Sequence, residues 1–94
     1  VGGWNIHTDY RCDRLTSSHA TVKAGEPVTV TARISNTFLD GSRVPLLVDG
    51  RTVDTKWAWA RAGKSAEASF KLTLSEPGKH RLTVGSQTAE VFVK

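Results

Sequence analysis

Apolar residues recur at every second position along most of this chain. In "PVTVTARISN", Val28, Val30, Ala32 and Ile34 alternate with Thr29, Thr31, Arg33 and Ser35. Such alternation gives one apolar and one polar face, the signature of a half-buried strand. "RVPLLVDG" repeats it with Val44, Leu46 and Val48, and "AEASFKLTL" with Ala66, Ala68, Phe70, Leu72 and Leu74. "HRLTVG" contributes His80, Leu82 and Val84; "TAEVFVK" contributes Ala89, Val91 and Val93, with Glu90, Phe92 and Lys94 on the other face. No stretch holds a helical period. Gly or Pro punctuates each run, in "AGEP", "DGSR", "VDGR", "RAGK", "EPGK" and "VGSQ", where the chain must reverse. Asp49-Gly50 between apolar runs predicts a hairpin turn. Short strands at this spacing predict an all-β fold, an antiparallel sandwich of two sheets with seven to eight strands.

The first 19 residues have a different texture. "GWNIHTDY" alternates Trp4, Ile6, Thr8 and Tyr10 against Asn5, His7 and Asp9, which predicts an additional strand. "RCDRLTSSHATVKAGEP" reads as a polar connection with a short strand near Ala20 to Lys23. The whole chain, 1–94, reads as one domain, with 20–94 as its core. Its 94 residues are near the lower limit for a self-sufficient core. A start at Val1 fits a domain cut from a longer protein, and no apolar run is long enough for a membrane-spanning helix.

Charge alters the picture little. The net charge of +4 comes from basic residues scattered from Arg11 to Lys94 and interrupted by Asp and Glu, without the clustering expected of a nucleic-acid footprint. No nucleic-acid partner is expected. Cys12 is the only cysteine, so no internal disulfide forms and Cys12 reads as a small core hydrophobe. His7, His19 and His80 have no metal-ligand spacing, and no phosphate loop or nucleophile elbow occurs. The carboxylates fall mostly on turns or outward positions. No catalytic residue, metal or cofactor is expected; His80 falls on an inward parity, as a satisfied or edge histidine.

From about Thr21 to Lys94 the chain resembles the CARDB type of bacterial and archaeal extracellular domain. The resemblance rests on the order and spacing of "VKAGEPVTVTARISNT", "VPLLVDGRTVDTK", "RAGKSAEASFKLTL", "EPGKHRLTVG" and "TAEVFVK". "NTFLDG", with Phe38 and Leu39, departs from the family pattern, and the aromatic N-terminal stretch lies beyond it. The resemblance implies an immunoglobulin-like β-sandwich. It also implies a non-catalytic accessory role in a secreted or cell-surface bacterial protein, such as a carbohydrate-active enzyme.

"VDTKWAWARAGK" then poses the sharpest question. The spacing of the family places Ala58 and Ala60 inward, and so Trp57 and Trp59 outward. Simple alternation from Val53 gives the opposite, with Val53, Thr55, Trp57 and Trp59 inward. The two agree only if a bulge or bend between Val53 and Trp57 shifts the parity by one. With the alanines inward, Phe70 or Leu72 must fill the core. With the indoles outward, Trp57 and Trp59 form an aromatic strip. Phe92 is expected to extend it, and Lys56 and Arg61 to supply donors at its ends. Trp4 and Tyr10 are secondary candidates, expected mainly to close one end of the sandwich. The expected function is a rigid spacer whose aromatic face docks on a neighbouring domain. The alternatives are a carbohydrate-binding module that stacks polysaccharide on Trp57 and Trp59, and a surface repeat that self-associates through edge strands.

Overall fold

A computed structural model describes residues 10–37, 41–61 and 63–94. Trp4, Phe38 and Leu39, and the strand expected over the first residues, lie outside this set. Eight strands are present among the described residues: β1 (Arg11–Ser17), β2 (Thr21–Val22), β3 (Pro27–Ser35), β4 (Ser42–Val48), β5 (Arg51–Ala58), β6 (Ser65–Thr73), β7 (Gly78–Val84) and β8 (Gln87–Val93). They form a three-stranded sheet, β1-β3-β6, and a five-stranded sheet, β2-β8-β7-β4-β5. Every pairing is antiparallel except the short β2–β8 contact. The two-sheet all-β expectation therefore holds, as does the short strand near Ala20 to Lys23.

The core lies where the alternating positions of the two sheets meet. Val28, Val30, Ala32 and Ile34 of β3 are sealed, as are Val44 and Leu46 of β4, Leu82 and Val84 of β7, and Val91 and Val93 of β8. Phe70 is sealed in the core, with Leu72 partly buried against it. Tyr10 is buried over the β7–β8 turn. A Cβ at Gly85 would lie 3.3 Å from both its Cε2 atom and the Cβ of Cys12.

One expectation fails. Residues 11–17, expected as a polar connection, form β1. Cys12 and Leu15 are its buried residues, three positions apart rather than two. The cause is a bulge: Cys12 pairs with Ile34 and Arg14 with Arg33, so Asp13 is an extra residue. A bulge breaks the period-two pattern by which a strand is recognised.

The β4–β5 hairpin turns at Asp49-Gly50 as expected, both with positive φ (52° and 87°), the conformation of a two-residue turn matched to strand twist. Beyond the turn, Leu47 pairs with Thr52 but Leu46 with Asp54. Val53 is therefore the extra residue, and this is the parity shift that the tryptophan segment required.

Candidate functional site

The bulge at Val53 decides which way the tryptophans point. Without it, a two-residue turn pairing Val48 with Arg51 would pair Arg43 with Lys56, and Val53, Thr55 and Trp57 would face inward. With it, Lys56 stands opposite buried Val44 and Trp57 opposite exposed Arg43. Cross-strand partners share a face, so Trp57 points outward, and Trp59, just past the end of β5, is exposed as well. They are 60% and 52% exposed, while Ala58 and Ala60 are 5% and 7% exposed. Val53, inward in the simple-alternation reading, is exposed as well.

The strip is held in place from below and behind. The indole of Trp57 lies over Gly41, where an added Cβ would run into Nε1 and sit 2.7 Å from Cε2. Gly41 has φ of +100°, a conformation L side chains rarely adopt. Behind the strip, the Thr37 hydroxyl accepts a hydrogen bond from the Ala60 amide (3.0 Å) and donates one to the Ala60 carbonyl (3.2 Å). This side chain pins the backbone just past β5, where the strand has ended.

Of the other candidates, Lys56 joins Trp57, Thr55 and Arg43 around a shallow depression of about 410 Å³. Arg61 is exposed just after Trp59 and Ala60. Phe92 is exposed on the same sheet but does not extend the strip. It stands opposite Lys79 at the start of β7, whereas Trp57 stands beside Arg43, level with the far end of β7. At the rise of a strand the separation is on the order of 25 Å. Tyr10 sits in the core. The sequence reading missed Arg43 and Gly41. The hairpin count alone places Arg43 beside Lys56, so only the bulge reveals its pairing with Trp57.

The titratable groups form one notable constellation, away from the strip. His80 is buried, its Nδ1 2.6 Å from Asp49 Oδ2 and its Nε2 2.7 Å from the Glu76 carbonyl. Both ring nitrogens face oxygens that accept, which favours the imidazolium. The Glu76 carbonyl, followed by Asp49, holds the His80 pKa above the ordinary 6.5. The Arg81 amide, followed by His80, holds Asp49 below 3.8. Both partners are fixed in a turn and a strand, so the arrangement fastens the β4–β5 turn to β7. Burial raises the thiol pKa of Cys12, as expected for a core cysteine. Among the described residues, no group of three or more His, Cys, Asp or Glu could hold a metal ion.

The two sheets, their order and the crossings between them define an immunoglobulin-like sandwich. Within that class the chain has the fold of a CARDB domain. It superposes on the CARDB domain of a Pyrococcus furiosus protein, solved in complex with di-metal ions, with a TM-score of 0.68 and 14% identity, covering 86% of this chain and 88% of that one. A β-glucosidase from Erythrobacter marinus contains a similar segment (TM-score 0.76, 14% identity), covering 90% of this chain and 15% of the glucosidase. The Pseudomonas fluorescens alkylpurine DNA glycosylase AlkC, solved bound to DNA containing an abasic site analogue, contains another (TM-score 0.67, 15% identity), covering 92% of this chain and 30% of AlkC. No protein-family profile and no curated protein sequence matches the chain.

Proposed function

We propose that this domain is a non-catalytic accessory module of a larger secreted or cell-surface bacterial protein, which docks on a neighbouring domain through Trp57 and Trp59. The observation that carries the reading is the pair of indoles, each more than half exposed, Trp57 on the outer face of edge strand β5 and Trp59 just past its end. An indole presents on the order of 200 Å² or more of largely apolar surface. Leaving over half of it in water forgoes about 3 kcal/mol per ring at the usual coefficient. A partner surface that covers both rings recovers this term. Gly41 and the Thr37 clamp hold the strip in advance, which lowers the ordering cost of association. The same fold forms 15% of the glucosidase and 30% of AlkC, so sandwiches of this kind occur attached to larger bodies.

The depression beside Trp57, lined by Arg43, Thr55 and Lys56, favours a second reading. A pyranose could lie against the indole with its hydroxyls toward those side chains. The readings separate in one set of variants. In the isolated domain, Trp57→Ala with Trp59→Ala should cost no more than about 1 kcal/mol of stability, against about 3–5 kcal/mol for Phe70→Ala in the core. In the parent chain the double variant should abolish the extra thermal stability that the docked neighbour confers. Retention of the isolated domain on an immobilised polysaccharide, lost in the double variant, would establish the sugar reading instead.

A further inference from the structure

The outer face of the three-stranded sheet carries a feature that the tryptophan strip does not explain. Arg14 of β1 stands directly opposite Arg33 of β3, and like charges in that position destabilise a sheet. A regular continuation from the Cys12–Ile34 pair would place Asp13 opposite Arg33, an attractive pair. The bulge removes Asp13 from register and substitutes Arg14. Asp13 is engaged elsewhere: its carboxylate lies 3.0 Å from Arg11 Nε and accepts a hydrogen bond from the Ser35 hydroxyl at 2.7 Å. Arg33 donates from Nε to the Ser65 hydroxyl at 3.0 Å, leaving its terminal nitrogens for other partners. Among the described residues, Arg14 and Lys64 have no ion-pair partner.

Among the described residues, these groups line one open cleft of about 740 Å³, with Arg11, Arg14, Arg33 and Lys64 against the carboxylate of Asp13, and Ser35, Asn36 and Ser65 between them. Glu67 of β6 stands opposite Arg33 on the same face and lines an adjoining depression with Arg14 and Arg33, so the excess positive charge among the described residues here is two. The volume is that of a small-ligand cleft and exceeds what one ion fills. Guanidinium forks recognise planar or tetrahedral oxyanions through paired hydrogen bonds, and the hydroxyl and amide groups match a polyhydroxylated chain. Among the described residues no aromatic side chain lines the cleft, whereas single-stranded nucleic acid binding relies on stacking. We propose that this cleft binds the carboxylate or sulfate groups of an acidic polysaccharide. The site is on the opposite sheet from Trp57 and Trp59 and stands or falls independently of their docking role.

The test is a titration of the ¹⁵N-labelled domain with four probes: an oligogalacturonate, a heparin-derived oligosaccharide, cellotetraose and oligothymidylate. At least one acidic oligosaccharide should shift the amides of Arg14, Arg33, Ser35, Lys64 and Ser65, and which one does so separates carboxylate from sulfate. Binding should weaken as ionic strength rises and fall about tenfold or more in the variant Arg14→Thr with Arg33→Thr. That variant removes the Arg14–Arg33 repulsion together with the Arg33–Glu67 attraction, so its Tm should change little. If it fails to fold, Lys64→Gln, in an exposed turn, still reports the site through a loss of several-fold. Trp57→Ala should leave the titration unchanged. The proposal is overturned if neither acidic probe binds, if cellotetraose or oligothymidylate binds as tightly, or if the arginine and lysine variants bind normally.

Discussion

An indole that is mostly in water still needs something to hold it, and at Trp57 that support is a missing side chain. The ring edge lies where a Cβ of residue 41 would be, and the backbone of Gly41 has a φ of +100°. Gly41→Ala should therefore move the ring and strain the turn, costing roughly 1–3 kcal/mol. The expected readout is a displaced Trp57 indole N–H signal with the rest of the spectrum little changed; an unmoved signal would contradict the contact. His80 and Asp49 make a second residue-scale prediction. The folded-state pKa of His80 lies above its unfolded value, so its contribution is complete below about pH 6.5 and lost as pH rises through the folded value. Asp49 is shifted down, so its contribution is present above about pH 4 and lost as pH falls through its folded value. Thermal stability should peak in the mildly acidic range between them and decline toward alkaline pH. His80→Gln should flatten the alkaline decline, and an unchanged decline would remove His80 as its cause.

At the scale of the element, two bulges account for what the sequence concealed. The strands β3, β4, β6, β7 and β8 were legible because their alternation is unbroken, and the Asp49-Gly50 turn because its chemistry is local. β1 was hidden because the extra residue Asp13 spaces Cys12 and Leu15 by three. The β5 parity stayed open because an extra residue at Val53 leaves no trace in an exposed strand. The spacing of the resembling family supplied what periodicity lacked, placing Ala58 and Ala60 inward. Arg43, and the cleft gathering Arg11, Arg14, Arg33 and Lys64, depend on register across strands, which linear reading does not supply. β5 is also an edge. Asp54 and Lys56 stand opposite buried Leu46 and Val44 yet are exposed. Charges on the inward parity of an edge strand disfavour pairing with another chain. Asp54→Val combined with Lys56→Val should convert a monodisperse domain into a self-associating one by light scattering. A variant that stays monomeric would show that the edge needs no such protection.

Taken whole, the molecule is a layered body whose reactive groups are spread over its skin. Among the described residues the interior is apolar but for Ser42 and His80, and His80 is engaged on both sides. Two outer surfaces differ in chemistry: an aromatic strip on the five-stranded sheet and a basic cleft on the three-stranded one. A small sandwich with two unlike faces suits a part that connects other bodies. Trp57 and Trp59 are displayed outward by the domain, and the proposed docking has a neighbour cover them. The decisive measurement exposes the assigned indole N–H groups to a soluble paramagnetic chelate, in the isolated domain and in the parent chain. Both signals should broaden strongly in the isolated domain and be protected in the parent. Indoles already protected in isolation, or equally accessible in both forms, would contradict the claim.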